Sequence, residues 1–121
     1  MAFSPDDLEL LANEEEVRIE TRAADGSAHR TIIWVVVDGQ DVFVRSVRGT
    51  RGRWYREALA DPDVAIHADH RRLPAKAIHT PDPDSVARTS AALVQKYTGI
   101  PGLKPMMQPN VLDATLRLEP A

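Results

Sequence analysis

The chain has 121 residues, of which 43% are hydrophobic, 27% charged and 5% aromatic, and its formal net charge is −3. This length predicts one domain over residues 1–121, large enough to bury a core. The absence of cysteine excludes disulfides, thiolate metal sites and cysteine nucleophiles. The longest apolar run, residues 32–37, is far shorter than a bilayer-spanning helix of ~20 residues, and the N-terminus lacks a signal-peptide pattern. We therefore expect a cytoplasmic protein that binds no membrane.

The first half of the chain predicts a helix followed by three strands. Ser4 and Pro5 are typical of a helix start, and the acidic residues after them favour a helix that extends to about Asn13. The next segments show period-2 alternation or runs of β-branched residues, and Asp-Gly pairs between them indicate tight turns. The strands are predicted at residues 16–22, 30–37 and 42–47, with turns at 25–26 and 38–39.

The second half predicts two helices and three further strands. A short helix over residues 53–60 precedes strands at 64–68 and 75–79, and a longer helix begins at Asp84 or Ser85 and ends before Gly99. Three prolines in residues 99–112 predict an extended segment rather than a helix, and a last strand covers residues 114–119. Together these elements predict a mainly β protein with peripheral helices, in which six mostly antiparallel strands form a small barrel. The outward apolar faces of the second and third strands predict a homodimer.

The loop at residues 48–52 is the clearest candidate for a binding site. Gly49 and Gly52 allow tight turning and bring backbone amides close to a ligand, and the helix that starts near Arg53 directs its unpaired N–H groups at the loop. The guanidinium groups of Arg48, Arg51 and Arg53 match phosphate oxygens. A mildly acidic chain is a poor nucleic-acid binder, so we expect a single phosphate group or phosphorylated cofactor and no nucleic acid.

The stretch from Val42 to Val64 resembles a known family. A strand (Val42-Phe43-Val44-Arg45-Ser46), a basic glycine loop, a helix opening with Arg53-Trp54-Tyr55, and Asp61-Pro62-Asp63-Val64 entering the next strand are similar to the cofactor-binding segment of split-β-barrel flavin and deazaflavin proteins. These include pyridoxamine-phosphate-oxidase-like enzymes and deazaflavin-dependent nitroreductases, and the chain most resembles a small bacterial branch of unknown function. It departs at Glu57 and Asp61, where the family often has asparagine.

The resemblance implies a split β-barrel oxidoreductase that transfers a hydride between a cofactor ring and a small organic substrate. The cofactor would be the 8-hydroxy-5-deazaflavin coenzyme, which the Trp54-Tyr55 pair favours, or FMN. Trp34 is interpreted as a packing or dimer-interface residue, and no catalytic acid or base stands out because the ring performs the redox chemistry. The residues implied for the phosphate are Arg48, Thr50, Arg51, Arg53 and the Trp54 backbone; for the ring or ribityl chain, Arg30, Thr31, Ile33 and Ser46; for a substrate pocket, Tyr97, Met106 and Met107.

Three alternatives compete with this hypothesis. The string His67, Asp69 and His70 could suggest a metal, but on a strand His70 points away from the other two, so no metal site is predicted. A dimeric split-barrel module without enzymatic activity could use the arginine loop for a nucleotide, a heme or a flavin. A structural relic would bind no ligand.

Overall fold

A computed structural model of the chain describes residues 2–121. Seven strands form one antiparallel sheet in the order β2-β1-β5-β6-β7-β4-β3, which curls into a half-barrel. The predicted mainly β split-barrel fold is therefore confirmed. The strands are β1 (Val17–Arg22), β2 (Ala28–Ile33), β3 (Val36–Asp38), β4 (Asp41–Arg45), β5 (Asp63–Ala68), β6 (Arg71–His79) and β7 (Thr115–Pro120).

The predicted six strands become seven because the second one is interrupted. The run at residues 30–37 is apolar on both faces and was expected to form one strand, but β2 ends at Ile33 and β3 begins at Val36. Trp34 and Val35 carry the chain from one edge of the sheet to the other, since β2 and β3 are the two edge strands. The same apolar run thus serves two strands on opposite sides of the half-barrel.

In the part of the chain that the structure describes, four helices surround the sheet: α1 (Pro5–Asn13), α2 (Arg53–Ala60), α3 (Pro83–Tyr97) and α4 (Leu103–Met106). Asp82 caps α3 by accepting a hydrogen bond from the Ser85 amide at 3.0 Å, so this helix starts slightly earlier than predicted. Within residues 2–121, no helix has the length and apolar character needed to cross a membrane.

The segment at residues 99–112 is not extended, contrary to the prediction. It contains α4 and a 3₁₀ turn at Pro109–Val111. Pro105 lies in the first turn of α4 and Pro109 at the start of the 3₁₀ turn, where the missing proline N–H would have no partner within the helix. The prolines are therefore compatible with these short helices.

Two apolar clusters hold the fold together. The inner cluster fills the half-barrel, where α1 contributes Leu11 and α2 contributes Trp54 and Tyr55. The outer cluster joins α3 and α4 to the opposite face of β3 and β4, with Phe43 and Tyr97 at its centre. The homodimer prediction assumed that this outward face is exposed, which is wrong for β3 and β4. The chain's own α3 covers that face.

Arg45 is the largest fully buried side chain and lies between β4, α3, α4 and β7, with 1% of its surface exposed. Its Nε donates to Thr115 Oγ1 at 3.0 Å and its Nη2 to Val86 O at 3.0 Å. Its Nη1 donates to Ser90 Oγ at 2.9 Å and to Met106 O at 3.3 Å. Burial lowers the pKa of Arg45 to about 10, which leaves it charged at neutral pH. All four acceptors are neutral, so Arg45 joins these elements through hydrogen bonds rather than an ion pair.

The outer face of β1, β5 and β6 contains an ionic cluster centred on Glu20. His67 Nε2 lies 2.7 Å from Glu20 Oε1, and Arg72 donates from Nη2 to Glu20 Oε2 at 3.1 Å. The hydrogen bonds from Arg72 and then from His67 lower the pKa of Glu20 from 4.5 to about 2. A lowered carboxyl pKa stabilises the fold above the unfolded-state value, and this stabilisation is lost as the pH falls from about 4.5 towards 2.

We expect Glu20→Gln to lower the free energy of unfolding by about 1–2 kcal/mol at pH 7, less than the full pKa shift because Arg72 is half exposed. The difference from the wild type should narrow at pH 3, since Glu20 is then almost fully protonated in the unfolded chain. Urea unfolding at both pH values measures this. An equal difference at pH 7 and pH 3 would contradict the proposed ionic origin.

Candidate functional site

A groove runs along the open side of the half-barrel, between the end of β2 and the residues that follow β4. It has a basic end of about 460 Å³ and an apolar end of about 220 Å³. Both ends are lined by Ile32, Val47 and Trp54, so they form one continuous cleft. The split in the barrel thus creates the site, since the closed part of the sheet is filled by the inner cluster.

The basic end is built by the loop that connects β4 to α2. Gly49 adopts φ +64, and a Cβ there would lie 2.9 Å from the Asn110 carbonyl oxygen, so the turn requires glycine. Gly52 is the N-cap of α2 and has no side chain to bond the first amides of the helix. Arg48 and Arg53 line this end, are exposed, and form no ion pair with any described residue. The only described partner of the Arg53 guanidinium is Thr31 Oγ1, at 3.5 Å.

Ser46 lies at the base of this end with an unsatisfied hydroxyl group. Its side chain is 1% exposed, and Ser46 Oγ is the one buried side-chain polar atom of residues 2–121 without a hydrogen-bond partner. A buried hydroxyl without a partner costs about 1–3 kcal/mol. Together with exposed arginines and uncapped helix amides, it forms a donor set suited to an anion.

Gly52→Ala tests how closely this loop is packed. A Cβ at Gly52 would lie 2.3 Å from Ser46 Oγ, although the backbone at φ −59 accepts alanine. We expect a loss of about 1–2 kcal/mol in the free energy of unfolding, because the Ser46 side chain can rotate only partly away. Chemical denaturation measures this, and Ser46→Ala should restore most of the loss, since the nearest remaining contacts are then the Gly49 carbonyl oxygen and the Ser46 Cβ, both at 3.5 Å. Failure of the second substitution to rescue the first would show that the loop, not Ser46, resists the added methyl group.

The apolar end is flanked by two indole rings. Trp34 stacks on Tyr97 with ring centroids 3.9 Å apart and an interplanar angle of 5°. Burial raises the pKa of Tyr97 to about 12, so its hydroxyl stays protonated and donates to Glu15 O at 2.6 Å. This stack holds the Trp34 wall in place, while Trp54 forms the wall shared with the basic end. A flat apolar group fits between such walls.

The structure brings together some of the residues predicted for the cofactor and separates others. Thr31, Ser46, Arg48, Arg53 and Trp54 line the basic end. Ser46 thus lies with the arginines rather than beside the apolar walls. The remaining predicted residues are placed elsewhere: Ile33 lines the apolar end and Arg30 lines a neighbouring groove. Thr50 and Arg51 are exposed on a second 3₁₀ turn, Gly49–Arg51, outside the lining of either end.

The three residues predicted for a substrate pocket also differ in position. Met106 lines the apolar end of the groove. Tyr97 is 1% exposed and lies behind Trp34, and Met107 packs against the outer cluster. Only Met106 therefore faces the cleft directly.

Several lining residues were not predicted. Val47 and Ile32 are exposed apolar residues at the mouth, 49% and 56% exposed, and Trp34 is predicted from the sequence to serve packing or a dimer interface rather than the site. An apolar run with a tryptophan beside an arginine loop could have suggested them. Gly102 and Arg45 also line the apolar end, but no local pattern places Gly102 there, since it comes from a segment more than fifty residues after β4.

Glu57, where the resemblance fails, has a structural role. Its carboxylate accepts a hydrogen bond from Thr21 Oγ1 at 2.7 Å and lies 2.9 Å from His29 Nδ1. Burial opposes its ionisation, but these two hydrogen bonds, together with the nearby charge of Arg53, hold the pKa of Glu57 below its ordinary value. Glu57 therefore fastens α2, and the arginine loop before it, to β1 and β2.

Comparison with known proteins places the chain. A family model described as an uncharacterized protein conserved in bacteria (DUF2255) matches residues 7–118. The chain belongs to the DUF2255 family. No curated protein matches this DUF2255 chain.

Solved structures share the fold of this DUF2255 protein at low sequence identity. HutZ, the heme storage protein of Vibrio cholerae, is 16% identical with a TM-score of 0.72, covering 100% of this chain and 92% of that chain. A putative pyridoxamine 5′-phosphate oxidase from Listeria innocua is 13% identical with a TM-score of 0.70, covering 95% and 90%. A protein described as F420 reductase is 21% identical with a TM-score of 0.64, covering 93% and 91%. The predicted resemblance to split-barrel proteins is confirmed at the level of the fold.

Proposed function

We propose that this DUF2255 protein is a flavin- or deazaflavin-dependent oxidoreductase that acts on a small organic substrate. The observation that carries the proposal is the groove itself, which joins a phosphate-type donor set at one end to two indole walls at the other. A phosphorylated aromatic coenzyme has the matching shape and charge. Fold relatives described as an F420 reductase and a putative pyridoxamine 5′-phosphate oxidase support this choice.

The residues of the groove fit such a coenzyme. Arg48, Arg53 and the first amides of α2 would bind the phosphate, and Ser46 Oγ would gain the hydrogen bond it lacks. Ile33 and Trp54 would contact the ring, with Thr31 beside the chain that links ring to phosphate. We retain Arg30, Thr50 and Arg51 as weaker candidates, because none of them lines the groove.

The protein itself would bind the coenzyme, orient its ring and shield it from water. When bound, the flavin or deazaflavin supplies the hydride donor or acceptor. Trp34, held by its stack on Tyr97, fixes the plane available to a ring, and Met106 excludes water from one side. Orientation of this kind lowers the barrier without a proton-transferring side chain. A substrate would lie near Met106, with Tyr97 and Met107 supporting that wall from behind.

We also propose a homodimer, based on two apolar side chains that remain exposed beside the groove. Ile32 and Val47 remain 56% and 49% exposed on opposite sides of the groove mouth. A second copy that packed against the outer edges of these two side chains would remove apolar surface from water and leave the cleft open towards β1. Sedimentation measures this, and Ile32→Lys with Val47→Lys should yield monomers.

Titration of the purified protein with FMN, with the deazaflavin coenzyme and with hemin tests the function. We expect one of the first two to bind with a changed absorption or emission spectrum, and the reduced form to be consumed by a suitable acceptor. Binding without turnover would favour the non-enzymatic carrier, and a Soret shift with hemin alone would favour a heme-binding module. Failure of all three to bind would contradict the proposed function.

A further inference from the structure

A second groove, of about 520 Å³, crosses the outer face of β2, β1, β5 and β6. Its lining is rich in basic side chains, opposed by the carboxylates of Glu16 and Asp69. The basic residues are Arg18, Arg30, Arg71, Arg72, His67 and His70. The proposed coenzyme site uses none of these except the weaker candidate Arg30.

The sheet register explains why the basic residues lie together. Arg18 on β1 is paired with Ile32 on β2 and with His67 on β5, and His67 is paired with Arg72 on β6. Cross-strand partners point to the same face, so these four side chains form one row. Arg30 lies on the same face as Arg18, diagonally across β1 and β2, since its own partner is Glu20.

The positive charge of this groove is only partly neutralised. Arg71 pairs with Asp7, and Arg72 pairs with Glu20 at 3.1 Å. Arg18 and Arg30 form no ion pair with any residue in the described range 2–121. Two guanidinium groups on one face, without carboxylate partners, can bind a carboxylate or phosphate.

His67 adds an oriented polar group to the same groove. Its Nε2 lies 2.7 Å from Glu20 Oε1, and its side chain is only 17% exposed. Because Glu20 is itself fixed by Arg72, the imidazole is held in one orientation. Nε2 is therefore engaged by Glu20, and His67 contributes to the groove as a fixed polar wall.

The outer groove adjoins the proposed coenzyme site. Ile32 lines the outer groove and both ends of the coenzyme groove, and Glu16 lines the outer groove and the apolar end. A molecule placed against the apolar end can therefore reach Arg18 by passing over Ile32. This path leads away from Arg48 and Arg53, which lie at the basic end.

We propose that the outer groove is a second anion-binding subsite, in which Arg18 and Arg30 bind the carboxylate or phosphate of the molecule that reacts with the coenzyme. The substrate class is then an organic anion with an apolar body that contacts Ile32. The assignment to a substrate rests on the proposed function, whereas the anion subsite itself does not.

Amide chemical shifts of the full-length, ¹⁵N-labelled protein test the subsite without coenzyme. Benzoate is the probe and benzamide its neutral, nearly isosteric control. We expect benzoate to shift the signals of residues 16–18, 30–32 and 67–72 with a dissociation constant on the order of millimolar, and benzamide to bind at least about tenfold more weakly. Arg18→Gln should weaken benzoate binding at least about fivefold, whereas Arg56→Gln, which removes an exposed arginine outside this groove, should change it less than about twofold.

Equal binding of benzoate and benzamide, or equal effects of Arg18→Gln and Arg56→Gln, would overturn the subsite. A parallel FMN titration separates this result from the proposed function, because Arg18→Gln should leave FMN affinity unchanged. If FMN displaced benzoate from Arg18, the groove would belong to the coenzyme, and the substrate assignment would be overturned.

Discussion

Replacing Arg45 with alanine is expected to lower the free energy of unfolding by about 3–5 kcal/mol. The substitution removes the donor from four acceptors, of which Thr115 Oγ1 and Met106 O are buried and Ser90 Oγ and Val86 O are partly buried. It also opens a cavity between β4 and the layer of α3 and α4. Urea or thermal unfolding of both proteins at pH 7 measures the loss. Arg45→Met should recover part of it by filling the volume, but not the part that comes from the hydrogen bonds.

Arg88→Ala is the matched control for Arg45. Arg88 also joins α3 to the β3–β4 hairpin, with Nε 2.6 Å from Asp38 Oδ2 and Nη2 2.8 Å from Asp41 Oδ2. Its side chain is 34% exposed, so its ion pairs are screened by water and the expected loss is about 0.5–1 kcal/mol. Equal losses for the two variants would contradict the view that burial of the guanidinium makes Arg45 important.

Arg53→Ala is expected to weaken coenzyme binding by about 1.5–3 kcal/mol, roughly a tenfold to 150-fold higher dissociation constant. The reason is that Arg53 is exposed at the basic end, has no carboxylate partner among the described residues and lies at the first turn of α2. Fluorescence titration with FMN and with the deazaflavin coenzyme measures the change. Since the interaction is ionic, the wild-type affinity should also fall as salt is added.

Two further arginines make the Arg53 result interpretable. Arg56→Ala removes the same charge from an exposed position of α2 outside the groove and should change affinity less than about twofold. Arg51→Ala compares the sequence-based prediction with the structure. The sequence places Arg51 at the phosphate, whereas in the structure Arg51 does not line the cleft and its removal should have little effect on affinity. Titration curves that Arg53→Ala leaves unchanged would move the phosphate site elsewhere on the molecule.

Much of the fold follows from local patterns. The cap at Ser4, the Asp-Gly turns and the alternation in β1 each act within a few residues, and the structure has these elements where the sequence predicts them. The break at Trp34 could not be predicted, because a run that is apolar on both faces fits one buried strand as well as two. The helix α4 was missed because proline was taken to exclude a helix, whereas Pro105 occupies a first turn.

Part of the candidate site could likewise be predicted from the sequence and part could not. The basic end comes from one contiguous loop, so its arginines and glycines could be recognised in the sequence. The apolar end is assembled from β2, the residues after β4 and the segment at Gly102, which only the tertiary structure brings together. The buried hydroxyl of Ser46 and the ionic cluster centred on Glu20, beside the outer groove, likewise depend on distances that no sequence pattern encodes.

The two-residue connection between β2 and β3 limits how the cleft can change size. Because these two residues join the two edge strands of the curled sheet, the distance between the joined ends of β2 and β3 cannot increase much. Tyr97 and Lys96 reinforce this connection from α3, since both donate to the Val35 carbonyl oxygen, at 3.3 and 2.6 Å. We expect larger ligands to bind by displacing the segment at residues 99–102, which has a glycine at each end. Substitutions in that segment should therefore change the size of ligand that the cleft can bind.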